Sequence, residues 1–275
     1  MSIRDVLVHV KSYEPWSEHI DVTGRIARAF GARLTGLRTL RDIAMLKTIL
    51  GADAPAVLER QSKDRHASLE AEKTFRDFLE HTGIVGDWQI GEGDASDLLS
   101  WAARFHDLLV VEQTDPETDE TGWDVAEQCA LTSGKPTLVV PFQGRFPTVD
   151  RRILIAWNGS REAALAVHGA LPFLAAAEQT TLLFGRGKDG FSSITRYPDL
   201  NVTDYLRRHG VDVATRPFDV PDEQAGSGIL DVAHRCGADL IVMGAYGRSW
   251  FREWVLGGAT RYVLGNMHTP VLMAH

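Results

Sequence analysis

The sequence predicts an α/β protein made of two similar domains in tandem, each a parallel sheet flanked by helices. Three observations predict it. The chain repeats itself: "RDVLVHV" (4–10) is like "RRILIAW" (151–157), "DLLSWAARFHDLLVVEQ" (97–113) is like "GILDVAHRCGADLIVMGA" (228–245), and "KPTLVVPF" (135–142) is like "HTPVLMAH" (268–275). Short β-branched apolar runs alternate with stretches whose apolar residues recur three to four apart, the pattern of buried strands joined by crossover helices. The repeats also keep their order. Their offsets are 147 residues (4 to 151), 132 (107 to 239) and 134 (136 to 270), so the first half carries an insertion of about 15 residues in its early part. The expected domains are 1–146 and 148–275, joined near "QGRFPTVD" at 143–150.

The second half reads most clearly, element by element. Strand 153–157 leads into a helix at 160–176, opened by Ser160 as cap. Strand 180–185, a loop, a helix near 199–209 and strand 211–217 follow. A helix at 228–236, strand 239–243, a glycine-rich segment and strand 270–274 complete it. In open parallel sheets ligands sit beyond the carboxyl ends of the strands. Two such ends are candidates: Ala156-Trp157-Asn158, running into Gly159-Ser160, and Met243-Gly244.

Composition bounds the partners. At 44% hydrophobic and 24% charged the chain falls in the soluble globular class. Its net charge of −8 argues against nucleic acid and against an anionic membrane surface, both of which call for basic patches. No apolar run approaches the ~20 residues of a membrane helix, and the amino terminus lacks a signal peptide's apolar core, so a cytoplasmic protein is expected. Cys129 and Cys236 have no metal-like spacing and read as reduced thiols.

The segment "GAYGRSWFREWVLGGAT" (244–260) concentrates the chemistry. Gly244 and Gly247 follow a buried strand, where glycine allows a tight turn and a close approach. Gly257, Gly258, Ala259 and Thr260 precede a helical stretch. Small residues there leave the first amide N–H groups open to an anion, with the Thr260 hydroxyl as a further donor. By physics alone strand–GxxG is a weak signal, and a plain turn competes with it. "GRGKDG" (185–190) lacks the Ser/Thr of a Walker motif and reads as a loop.

The spacing Gly244-x2-Gly247-x9-Gly257, with "ADLIVMGAYGR", "TPVLMAH" and "ILIAWNGSREAALAV", resembles the nucleotide-binding signature and flanking strands of the universal stress protein family. The resemblance covers the whole chain as two family domains, the second far closer to the pattern. It implies Rossmann-like domains with five-stranded parallel sheets, dimerisation through the last strand, and binding of an adenine nucleotide, ATP with Mg2+, in a regulatory protein of the stress response. It places the site at Ala156, Trp157, Asn158, Met243, Gly244, Gly247, Arg248, Gly257, Gly258, Ala259 and Thr260. Two positions depart from the family: Asn158 stands where an aspartate is usual, and Gly258 where a Ser or Thr is usual. Trp157 faces either the base or the core.

The first half departs further. The offsets carry Gly244 onto Glu112, Gly247 onto Asp115, Gly257 and Gly258 onto Trp123 and Asp124, and Asn158 onto Lys11. Carboxylates and bulk at a phosphate site repel a triphosphate, so at most one nucleotide per chain is expected. The acidic run 112–120 reads as a solvated loop, with no metal site. No Ser/His/Asp, HExxH or CxxC arrangement marks an enzyme. Ser227 reads as a helix cap, and His168 and His234 as structural. The alternative reading is a nucleotide-independent interaction module, with a slow ATPase third. The halves should pack as an intrachain pseudo-dimer through 137–141 and 270–274, and a homodimer of such chains is allowed but not implied.

Overall fold

A computed structural model describes residues 2–11, 17–40, 44–51, 54–115, 125–185, 200–246 and 258–275, with Met45, Leu46, Leu50 and Arg60 described by backbone alone. The first half runs β1 (Asp5–His9), α1 (Glu18–Phe30), β2 (Arg33–Leu40), α2 (Ala44–Leu50), α3 (Pro55–Thr82), β3 (Gly86–Glu92), α4 (Ala95–Ala103), β4 (Leu108–Glu112), α5 (Val125–Thr132) and β5 (Thr137–Val140). The second runs β6 (Arg152–Trp157), α6 (Arg161–Ala176), β7 (Gln179–Gly185), α7 (Val202–Arg208), β8 (Val213–Phe218), α8 (Ala225–Cys236), β9 (Leu240–Gly244), α9 (Gly258–Asn266) and β10 (Val271–Ala274). The insertion lies between β2 and β3, where α2 and the long α3 occupy a connection that holds α7 in the other half.

Each half is a five-stranded parallel sheet, and the two share one ten-stranded sheet of order β3-β2-β1-β4-β5-β10-β9-β6-β7-β8. Central strands are unbroken apolar runs because helices cover both faces: Leu108–Val111 and Leu240–Val242 are at most 1% exposed. One apolar layer lies under α1, α3, α6 and α7, the other under α4, α5, α8 and α9. The halves meet where β5 and β10 pair antiparallel, Leu138 opposite Leu272. This pairing relates the halves by an approximate two-fold. Phe30 of α1 meets Phe173 of α6 edge-on at 5.3 Å across the same junction.

The repeat extends to polar detail. Asp107, just before β4, accepts the Arg4 and Asp5 amides entering β1 at 2.8 and 3.2 Å. Asp239, just before β9, accepts the Arg151 and Arg152 amides entering β6 at 3.2 and 2.9 Å, and the Thr148 hydroxyl at 2.6 Å. The joining segment 143–150 is tied to both halves. Phe146 is buried, its N–H donates to Glu18 at 3.1 Å, and its carbonyl accepts from Arg25 at 2.6 Å.

Ser227 does not cap α8. The helix starts earlier, at Ala225, and the Ser227 hydroxyl donates to the Gln224 carbonyl at 3.0 Å from inside the first turn. His168 bonds the Tyr205 hydroxyl at 3.1 Å.

Candidate functional site

Parallel pairing puts Ala156 of β6 beside Met243 of β9, so Trp157 and Gly244 leave the sheet as neighbours at its carboxyl edge. Ala156 and Met243 pack into one apolar layer, and Trp157 packs against the other. Trp157 is half-buried where it packs.

After β6 the chain turns into α6 within three residues, 158–160. Gly159 takes a left-handed φ of 74°, which glycine adopts without cost. The Asn158 side-chain carbonyl accepts the Ser160 amide at 3.0 Å, and the Ser160 hydroxyl accepts the Ala163 amide at 3.1 Å. The acceptor that Asn158 keeps relative to an aspartate therefore serves the turn.

So short a turn draws α6 against β9. A Cβ on Gly244 would stand 2.5 Å from the Ala163 nitrogen and 2.7 Å from the Glu162 carbonyl carbon. Those are backbone atoms of the first turn of α6, which cannot rotate away. Gly244 is required by this helix–strand approach.

Tyr246 carries the next feature. It is 7% exposed, and its φ of 57° lies in the left-handed region that a bulky side chain disfavours. Its amide donates to the Thr260 hydroxyl at 3.2 Å, which anchors the chain leaving β9 to the first turn of α9. Thr260 is buried at 3%. Gly258, the first residue of α9, is exposed, and a Cβ there would meet nothing within 4 Å among the described residues. Gly247, Arg248 and Gly257 lie outside the described residues. A separate groove of about 880 Å³ beside β8 and α8, lined by Phe184, Phe218, Gln224, Ser227, Asp231 and Arg235 among others, contains none of the expected site residues.

The same place in the first half is filled differently. Eight residues, 10–17, separate β1 from α1. Glu112 ends β4 as Gly244 ends β9. Its carboxylate accepts the Ser17 hydroxyl at 2.6 Å and lies 3.4 Å from His19 Nδ1. Burial pushes the Glu112 carboxyl up, but His19, the Ser17 bond and Lys11 outweigh it and hold the group below the usual carboxylate range. His19 Nε2 meets the His9 carbonyl at 2.7 Å, and His9 Nε2 meets the Thr39 hydroxyl at 2.9 Å. Burial, with Lys11, His19 and Arg38 nearby, lowers the His9 pKa from 6.5 to about 3. Arg38 donates to Ser68 of α3 at 3.1 Å and to the Lys11 carbonyl at 3.0 Å. Sequence reasoning passed over Ser17, His9, His19 and Arg38; His9 and Arg38 carried the signal of a polar residue inside an apolar strand, and Ser17 and His19 carried none. Trp123 and Asp124 lie outside the described residues. Among the described residues no group of three or more His, Cys, Asp and Glu side chains could hold a metal ion, and no helix is long and apolar enough to cross a membrane.

Residues 198–275 match the universal stress protein family model. A universal stress protein from Archaeoglobus fulgidus DSM 4304 has a similar fold over 99% of this chain and 96% of its own, with a TM-score of 0.72 and 16% identity. A protein of unknown function from Pseudomonas aeruginosa PAO1 aligns over 98% of this chain and 92% of its own, with a TM-score of 0.60 and 14% identity. An AMP-bound family member from Arabidopsis thaliana aligns over 51% of this chain and 93% of its own, with a TM-score of 0.37 and 15% identity. No curated protein matches the chain in sequence.

Proposed function

We propose that the chain is a tandem of two universal stress protein domains, a reading supported by the family match of residues 198–275 and by the fold, and that it is an adenine-nucleotide-binding regulatory protein of the stress response, taking ATP in its second half. One observation carries the reading. Beyond the carboxyl ends of β6 and β9, the first turn of α9 opens on Gly258, which has no side chain of its own and, among the described residues, no atom within 4 Å of where a Cβ would stand, and the Thr260–Tyr246 hydrogen bond fixes it beside the end of β9. That arrangement offers N–H donors and a positive helix end to a phosphate group. Gly247, Arg248 and Gly257 would complete the cradle, with Mg2+ brought by the nucleotide.

A second reading, a nucleotide-independent interaction module, draws on two other observations. The space left by Gly244 is taken by the α6 backbone, and the Asn158 carbonyl is engaged by Ser160. Either reading leaves the protein without a catalytic assignment.

Titration calorimetry on the full chain with ATP, with and without magnesium, separates them. The expected outcome is one saturable site per chain, lost in Gly247→Val, where a β-branched residue blocks the turn and the ligand's approach. No heat with any adenine nucleotide overturns the first reading in favour of the second. Two equivalent sites overturn the assignment to the second half alone.

A further inference from the structure

The first half supplies one side chain to the segment that leaves β9. Glu127, in the first turn of α5, accepts the Tyr246 hydroxyl and, at 3.1 Å, Arg261 Nη2. Its side chain is only 14% exposed. Tyr246 is thus held at both ends, its hydroxyl by the first half and its amide by Thr260 of α9. Arg261, the next residue after Thr260, is held by the same carboxylate. One acidic group of the first half grips a residue on each side of the proposed phosphate end: Tyr246 after β9 and Arg261 in α9.

The position of this contact is informative. The offset that carries β5 onto β10, 137 to 271, is 134 residues, and it carries Glu127 onto Arg261. The two residues are symmetry mates about the β5–β10 two-fold, and they have opposite charges. In an assembly of identical halves the same residue would face itself across that axis, arginine against arginine or glutamate against glutamate, at a repulsive cost. The duplicated chain has broken that symmetry at a point where breaking it ties one half to the loop of the other. Gln113, at the end of β4, makes a second such crossing, donating to the Leu264 carbonyl of α9 at 2.7 Å.

We propose that Glu127 is a positioning residue for the nucleotide site of the opposite half, so that the site is complete only with the first half docked. This rests on the nucleotide reading above. The first half then serves as a built-in partner that holds Tyr246 in its left-handed conformation and α9 at the correct depth. Its own strand-end place is occupied by Glu112, Ser17 and His19.

The test uses the full chain, with ATP affinity by calorimetry and, without nucleotide, hydrogen exchange of the Tyr246 amide. Glu127→Ala is expected to weaken ATP binding about tenfold, the scale of one charge-assisted hydrogen bond. Tyr246→Phe should weaken it by a similar factor, and the double variant should be no weaker than the worse single one, because both break one contact. Without ATP, Glu127→Ala should speed Tyr246 amide exchange about tenfold and leave Val110 of β4 unchanged. Exchanging the charges, Glu127→Arg with Arg261→Glu, should recover part of the affinity that Glu127→Arg alone loses, which a general loss of packing would not allow. Additive single variants, or unchanged Tyr246 exchange in Glu127→Ala, overturn the proposal. A wild-type chain that binds no ATP overturns the nucleotide reading instead, and the exchange measurement then decides by itself whether Glu127 holds the loop.

Discussion

At the carboxyl end of β4 stands Glu112; at the same point of β9 stands Gly244. The two residues answer to the length of a turn elsewhere. In the first half, residues 10–17 join β1 to α1 and leave α1 far enough off for a glutamate, which then bonds Ser17 and meets His19. In the second, residues 158–160 join β6 to α6, the helix backbone closes on β9, and only glycine fits. A duplicated fold can thus reverse the chemistry of one strand end, from a carboxylate cluster to bare backbone, by changing a loop beside a different strand.

Acid should separate the halves most. The 147-residue offset carries His9 onto Ala156, so the titrating group is confined to the first half. His9 has its pKa lowered from 6.5 to about 3. A depressed histidine favours folding above its unfolded pKa, because the unfolded chain takes up the proton first. As pH falls from about 6.5 toward 3, that stability is lost at a rate of the order of 1 kcal/mol for each pH unit. Glu112 adds a loss below the usual carboxylate range, since its folded pKa is also lowered. Denaturant titrations of wild type and His9→Gln across pH 7 to 4 check this. The variant should be less stable at pH 7 yet lose less on acidification. Parallel pH curves would remove His9 as the cause.

Gly244→Ala tests the other side of the comparison. The added methyl meets the α6 backbone at 2.5 Å, so helix or strand must shift, at a cost of about 2–3 kcal/mol. The denaturant midpoint should fall with an unchanged slope. An unchanged midpoint would mean that α6 does not press on β9 as described.

These residues also show how much was legible in advance. Strands of the second half could be read within a residue or two and its helices within about three, because a strand covered on both faces is a run of apolar residues. The tandem order could be read because that code repeats. The strand–glycine signal was legible, but its cause was not. Glycine is needed equally for a tight turn, for a ligand and for a neighbouring backbone, and only the position of α6 decides among them. The three-residue link Asn158-Gly159-Ser160 was the available hint. The Tyr246 conformation had no signal at all, since its hydrogen-bond partners, Thr260 and Glu127, lie far from it in the sequence. Placing the insertion in α3 was equally out of reach, because that helix is polar over most of its surface.

The aspartates that begin β4 and β9 offer a graded comparison. Asp239 accepts two amides and a hydroxyl, Asp107 two amides. Asp239→Ala should cost about 2 kcal/mol and Asp107→Ala about 1, since each lost bond to a charged acceptor counts and both sites are partly solvated. Equal losses from thermal or denaturant unfolding would show that the Thr148 bond adds nothing.

The smallest effect concerns Gly258, where the expected phosphate end lacks a hydroxyl. A serine there displaces none of the described residues, because among them a Cβ meets nothing within 4 Å. Folding stability should change by less than about 0.5 kcal/mol, the range of surface substitutions. In the nucleotide reading the new hydroxyl reaches a phosphate oxygen and tightens ATP by about 1 kcal/mol, the net worth of one hydrogen bond. Thr260 is buried and its hydroxyl already accepts from Tyr246, so it does not duplicate that contact freely. The same serine carried to the first half as Asp124→Ser should bring no binding, because Glu112 and its partners still occupy the strand end. Calorimetry on the two variants measures both arms. A Gly258→Ser chain that binds ATP no tighter than wild type would place the phosphates away from the start of α9, and binding gained by Asp124→Ser would show that the first half had been closed by one residue rather than by its loop.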